Sequence, residues 1–332
     1  MLAGGANALL GGEFHAASGW TTSAITDATN DGPAVTLTSA TTGIGLIRST
    51  ANSGELRSLT WSPGAWSTTA ALGAGITTRA TPSLAASAGL VSAAFQGDNF
   101  KHYYAAYLAS WNPTAEAVGG SASQSFGPSQ PTIAALGMSA VVAFAGNDGD
   151  LYDQTRSSGA WSAADGHGVG GTVSLTPTIV AMTAGPDLMI VYIRKTDSRV
   201  LYTTRTNGVW SLPPAVTDMN ALSGDPVSVA ALPGGAAVMA YRGLDGNVYW
   251  SRYTMGAATP WSPPAALATP NFATPSSPAV TAGLGGMDAE MVFVDGATGG
   301  VKHARLMGTS WSAPAVVGGN GLTHVGASSV GD

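Results

Sequence analysis

Five side chains stand at one place in a repeating pattern: Arg48 after Ile47, Gln96 after Phe95, Arg194 after Tyr192-Ile193, Arg242 after Tyr241, and Asp295 after Phe293-Val294. Each closes a short apolar run just before a turn-rich stretch. The planar guanidinium fork of arginine and the oxygens of Gln and Asp suit a ligand covered in hydroxyl groups. They suit equally a hydrogen bond that braces the chain's own loop. Tyr241 and Trp250, close to Arg242, offer aromatic faces that complement a C–H surface.

Other chemistries find less support. The 332 residues include no cysteine, which excludes disulfides, thiolate metal sites and cysteine catalysis, and fits a cytosolic or a secreted protein alike. His15, His102, His167, His303 and His324 form no metal-ligand spacing. Asn147-Asp148-Gly149-Asp150 reads as a hairpin turn, because the twelve-residue calcium pattern is missing. Glycoside cleavage usually needs a carboxylate pair, and Glu13, Glu55, Glu116 and Glu290 lie in no motif that assigns one. No catalytic residue, metal or cofactor is expected.

Charged residues are only 10% of the chain, against a usual ~25%. With 13 Lys and Arg, a net charge of −6 and no basic run, nucleic acid is not an expected partner. The segment Met1–Leu10 is apolar but lacks the basic start and sustained apolar core of a classical signal peptide. No stretch approaches the ~18 apolar residues of a membrane span, so membrane insertion is not expected either. The compartment stays open, with secretion or action at a surface by another route among the options.

The elements that must position these side chains are legible in a period. Trp20, Trp66, Trp111, Trp161, Trp210, Trp261 and Trp311 are spaced by 46, 45, 50, 49, 51 and 50 residues, and most are followed by Ser or Thr. Six prolines open alternating apolar segments, at Pro33, Pro82, Pro131, Pro177, Pro226 and Pro278. Proline is tolerated at the first residue of a strand, so each marks an innermost strand. About ten residues on come runs such as Val141-Val142-Ala143-Phe144, as expected of strands buried on both faces. Turns such as Asn147-Asp148-Gly149 and Asp245-Gly246-Asn247 lead to a third strand, and the tryptophan marks a fourth.

This pattern predicts an all-β chain: one seven-bladed β-propeller of four-stranded blades spanning 1–332. Trp20 has no proline segment before it, while Thr323-His324-Val325-Gly326-Ala327 sits where a seventh proline is due and has no tryptophan after it. The two ends are therefore expected to share one blade and close the ring, which also hides a sheet edge.

The best-preserved repeat runs Val238-Met239-Ala240-Tyr241-Arg242-Gly243-Leu244-Asp245-Gly246-Asn247-Val248-Tyr249-Trp250 and on to Trp261-Ser262. Other repeats close in Val118-Gly119-Gly120, Val169-Gly170-Gly171 or Val317-Gly318-Gly319. This resembles the repeat of the bacterial seven-bladed propeller lectins of the PLL type, although their second strand-d tryptophan is missing and Trp61 and Trp250 are the only extras. The resemblance implies sugar binding, often of fucose or methylated sugars, in shallow pockets between blades.

The expected function is thus a non-enzymatic lectin with repeated, unequal pockets that recognises glycan-covered surfaces multivalently. Arg48, Gln96, Arg194, Arg242, Asp295, Tyr241 and Trp250 are its candidate contacts. A scaffold or receptor-binding propeller in a larger assembly, or a homo-oligomer, fits the low charge as well. A glycoside-acting enzyme fits poorly: the Ser-x-Asp-x-Gly-x-x-Trp box of sialidase-like propellers is spelled by no repeat.

Overall fold

The computed structural model describes residues 1–5, 8–15, 18–119, 127, 129–168, 173–212, 214–218, 220–268, 271–284 and 286–327. Its strands form seven antiparallel sheets, here blades I to VII, each running from an innermost strand a to an outermost strand d. Blade I is built from both ends of the chain: His324–Gly326, Leu2–Gly5, Ala8–His15 and Gly19–Ile25. The a, b and c strands of blades II to IV are Ala34–Ser39, Thr42–Arg48 and Leu56–Ser62; Ser83–Ser87, Leu90–Gln96 and His102–Tyr107; and Thr132–Leu136, Ser139–Ala145 and Leu151–Ser157. Those of blades V to VII are Thr178–Ala181, Leu188–Ile193 and Val200–Thr206; Ser228–Leu232, Ala236–Arg242 and Val248–Tyr253; and Ala279–Ala282, Ala289–Val294 and Val301–Met307. Five of the six prolines directly precede strand a, as the sequence implies. In blade VI Val227 intervenes, and its carbonyl accepts the Thr178 hydroxyl at 2.5 Å.

The ring is closed by pairing Ala3 with Val325, with the Thr323 amide donating to the Gly4 carbonyl at 2.9 Å. Next to it, the Ser276 hydroxyl donates to the Thr323 carbonyl at 2.6 Å. Neighbouring a strands are joined by side chains. Thr132 donates to the Pro177 carbonyl at 2.9 Å, and the Val280 amide donates to the Ser228 hydroxyl at 3.0 Å. The abundant Ser and Thr of the innermost strands thus satisfy groups that no ladder reaches.

Each periodic tryptophan enters a different apolar cluster between successive blades. Trp161 of blade IV meets Tyr104 of blade III edge-on at 5.7 Å, and Trp311 of blade VII meets Trp250 of blade VI at 5.9 Å. The serine that follows has its own task. Where strand d breaks after the tryptophan, the hydroxyls of Ser67, Ser162, Ser211, Ser262 and Ser312 each accept a strand-c amide at 2.9–3.1 Å. The Trp-Ser dipeptide is therefore an interblade plug followed by a substitute ladder bond. Of the expected blade-closing segments, Gly120 and Val169-Gly170-Gly171 lie outside the described residues.

Connections alternate between the two faces of the disc. The b–c hairpins and the linkers from strand d to the next strand a share one face, and the a–b and c–d turns share the other.

Candidate functional site

On the b–c face, three blades repeat one arrangement. The aromatic residue near the end of strand b stacks on a tyrosine of strand c: Phe95 on Tyr103 at 5.7 Å, Phe144 on Tyr152 at 5.9 Å, and Tyr241 on Tyr249 at 5.9 Å. The strand-b ring is buried and the strand-c tyrosine is half-buried, because consecutive c-strand residues alternate between faces. A glycine lies along each tyrosine, and a Cβ added at Gly97, Gly146 or Gly243 would come within 2.7 Å of the ring. Only glycine lets the hairpin and the ring approach this closely.

The phenol oxygen is held by the turn. Tyr152 donates to Asp148 at 2.6 Å and Tyr249 to Asp245 at 2.9 Å. The other carboxylate oxygen accepts the amide two residues on, from Asp150 at 3.0 Å and from Asn247 at 3.1 Å. The bond from Tyr152 holds the Asp148 carboxyl below its ordinary range, and the same bond pushes the Tyr152 phenol up to about 12. Both rings therefore stay neutral at physiological pH, with their protons committed to the turn.

Blade III differs by one functional group. Its turn residue is Asn99, whose Oδ1 accepts the Lys101 amide at 3.1 Å, so its Nδ2 faces Tyr103 and donates to the phenol oxygen at 2.9 Å. Tyr103 thereby acts as an acceptor toward the turn and keeps its own proton to donate elsewhere. Beside it opens a cavity of about 450 Å³, bounded by the blade II–III linker at Ile76 and Thr77, the hairpin at Asp98 and Asn99, and the bend at Pro113 that follows Trp111. That volume is within the range of small-ligand sites. Asp98, its one charged lining residue, accepts the Thr77 hydroxyl at 2.5 Å. The hairpin also carries strain: Phe100 has φ 65°, where blades IV and VI use Gly149 and Gly246. Its ring is capped by the Arg79 guanidinium at 4.0 Å.

Arg48, Gln96, Arg194, Arg242 and Asp295 stand at or just after the ends of b strands on this face, in varied settings. Arg48 donates to the Thr78 carbonyl at 2.8 Å and pairs with Asp31 at 3.1 Å. Arg242 repeats this with Thr274 at 2.8 Å and Asp225 at 3.1 Å. Each thus ties the linker entering its blade to the linker leaving it, while about 30% of the Arg48 side chain and 32% of that of Arg242 stay exposed. Gln96 is buried and donates to the Gly127 carbonyl at 2.5 Å, a linker bond of the same kind. Arg194 forms a two-pronged pair with Asp197 of its own turn, at 2.9 and 2.6 Å. Asp295 is largely buried, accepts from Thr298 at 3.1 Å and pairs with Lys302 at 3.3 Å. Tyr241 and Trp250 stand in interblade cores, 1% and 7% exposed, and the half-open ring of blade VI is that of Tyr249, which pairs with Tyr241 across the b–c hairpin and precedes Trp250 on strand c. Tyr103, Tyr152 and Tyr249 escaped the sequence reading, although a Gly-x-Asp/Asn-x-x-x-Tyr spacing recurs in all three repeats.

No group of His, Cys, Asp and Glu among the described residues could hold a metal ion. No helix among them is long and apolar enough to cross a membrane.

No family model matches the sequence, and no curated protein matches it. Solved structures do. The fucose-specific lectin from Aleuria aurantia superposes with a TM-score of 0.59 at 16% identity, over 88% of this chain and 95% of its own. AofleA from Arthrobotrys oligospora gives 0.60 at 11% identity over 90% of both chains, and the SapL1 lectin in complex with α-methyl fucoside gives 0.58 at 13% over 88% and 97%. The Hadza microbial sialidase Hz136 is similar over 79% of this chain and 63% of its own, with a TM-score of 0.54 at 11% identity. The Aleuria lectin is described as six-bladed, one blade fewer than here. At such identities the likeness is one of fold: a propeller of the kind found among lectins.

Proposed function

We propose that this chain is a non-enzymatic carbohydrate-binding lectin that engages glycan-covered surfaces through unequal sites on its b–c face. The observation that carries the reading is the cavity beside Tyr103. It combines a supported aromatic ring, a phenol proton free of the turn, and amide, hydroxyl and carboxylate groups around an apolar wall. A pyranose presents the complementary surface, a C–H face and a rim of hydroxyls.

Tyr152 and Tyr249 form the corresponding platforms in blades IV and VI, with Tyr241 supporting Tyr249 from beneath. Arg242 and Arg48 frame this face, with Arg194, Gln96 and Asp295 at equivalent places, and Trp250 packs behind blade VI. Weak sites on one face of a rigid disc can act together and raise avidity by ~10² or more. The resemblance of the repeat around Tyr241-Arg242-Gly243 to that of the bacterial PLL-type lectins supports the reading. Fucose and methylated sugars are the first ligands to test, because a methyl group suits the wall at Ile76 and Pro113 and because fucose is named for several similar structures.

A glycan array probed with the wild type and with Tyr103→Ala tests the reading. Discrete neutral-sugar hits that fade in the variant are expected. A blank array for the folded wild type would overturn it.

A further inference from the structure

The opposite face of the disc holds a second cavity, of about 390 Å³, between blades III and IV. It is bounded by the c–d turns at Leu108–Ser110 and Ser157–Gly159 and by the a–b turn at Met138. Its chemistry is the reverse of the first: the charged residue in its lining is a cation, Arg156. We propose that this cavity is a second carbohydrate site, built for a pyranose that bears a carboxylate.

Three features of Arg156 support this. Its guanidinium lies over the Tyr104 ring at 4.7 Å, which fixes its plane. Its Nε and Nη2 both reach one oxygen of Glu116, each at 3.0 Å. Because that oxygen is shared, three of the five N–H groups are not committed to Glu116. The c-strand arginines of blades VI and VII each hold a backbone carbonyl as well as a carboxylate. Arg252 holds Asp288 and the Gly308 carbonyl at 2.8 and 2.7 Å, and Arg305 holds Glu290 and the Leu284 carbonyl at 2.9 and 2.6 Å.

The rest of the lining suits a sugar ring. Ser110, Asn112, Ser139 and Ser157 supply hydroxyls and an amide, while Leu108 and Met138 present exposed apolar lips. A planar guanidinium fork reads a carboxylate with a geometry that a hydroxyl does not match. The ring would then carry a neutral-sugar face and an acidic-sugar face, and so could bridge two glycan layers. Only the sugar skeleton of this ligand rests on the lectin reading; the charge rests on Arg156.

The test titrates the protein with the methyl glycosides of glucuronic acid, N-acetylneuraminic acid and glucose by ligand-observed NMR and calorimetry, using wild type, Arg156→Gln, Ser110→Trp and Tyr103→Ala. At least one of the two acids should bind wild type and Tyr103→Ala alike, and which acid binds separates a uronate from a nonulosonate source. Binding should weaken about tenfold or more in Arg156→Gln, the loss expected for a charge-assisted hydrogen bond. Methyl glucoside should bind this site more weakly than the acids. Ser110→Trp fills the cavity from an exposed turn and decides the matter if Arg156→Gln is unfolded. The proposal is overturned if neither acid binds wild type, or if folded Arg156→Gln and Ser110→Trp both bind as wild type does. Loss of neutral-glycan binding in Tyr103→Ala with acid binding intact, or the reverse pattern, tells failure of one site from failure of the other.

Discussion

Asn99 is the residue on which the preference among the three tyrosine platforms turns. As an amide it donates to the Tyr103 oxygen, whereas Asp148 and Asp245 consume their tyrosine's proton. Asn99→Asp should therefore redirect the Tyr103 hydroxyl into the turn and weaken neutral-glycan binding about tenfold, the value of one hydrogen bond to a ligand. Denaturant midpoints should be nearly unchanged, because the Asp version is the one that blades IV and VI already use. Equal affinity in wild type and Asn99→Asp would show that the phenol proton is not used. Arg242→Ala has a different expected signature. Its bond to the Thr274 carbonyl and its pair with Asp225 tie two linkers together, but the side chain is about one-third exposed. A loss of roughly 1–2 kcal/mol by urea unfolding is expected, the range of one charge-assisted bond beside a partly screened pair.

At the scale of the blade, stability lies in the interfaces. Trp261 is 2% exposed and packs against Tyr202 and Tyr253 at 6.0 and 5.5 Å. Trp261→Ala should cost about 3–5 kcal/mol with glycan binding preserved in the folded fraction. His102 supplies a pH-dependent element at another interface, where its ring packs on Phe144 of blade IV at 4.7 Å. Burial lowers its pKa to about 4, against a weaker opposing bond from its Nε2 to the Ser129 carbonyl at 3.0 Å. The folded protein thus holds the neutral ring, while the unfolded chain takes up a proton below about pH 6.5. This contribution is complete above that pH, is lost as pH falls from about 6.5 to 4, and is of the order of 3 kcal/mol. Chemical denaturation across that window should show the decline in wild type and a shallower slope in His102→Gln. The arginine braces explain why the sequence left two roles open for Arg48 and Arg242: one side chain can hold a linker and still show an edge to solvent.

For the whole ring, closure depends on three residues of strand pairing. His324–Gly326 covers the inner edge of Leu2–Gly5, and Leu322 and Val325 fill the core against blade VII. Removing residues from Thr323 onward should expose that edge, lower the melting temperature by several degrees and cause aggregation. A truncated chain as soluble and as cooperative as wild type would contradict closure by the shared blade. Multivalency makes a further whole-molecule prediction. Binding to a dense glycan surface should exceed binding to the free sugar by ~10² or more, and surface plasmon resonance at graded glycan densities would measure it.

Much of this architecture was legible in the chain alone, because propeller repeats make local chemistry periodic. Tryptophan spacing marked the blades, proline marked the innermost strands, and the missing seventh proline together with the unpaired Trp20 revealed the shared blade. Sequence periodicity could not decide which aromatic faces outward, since one step along a strand exchanges core and surface. Tyr249 and Trp250 are neighbours in sequence, yet the first is half open and the second sealed against Trp311. Nor could the sequence show which linker a side chain would meet: Arg242 and Thr274 are 32 residues apart and become partners only when blade VI turns back on itself. The two cavities are decided later still, by the packing of turns from adjacent blades, whose approach is set by interblade contacts rather than by any local propensity.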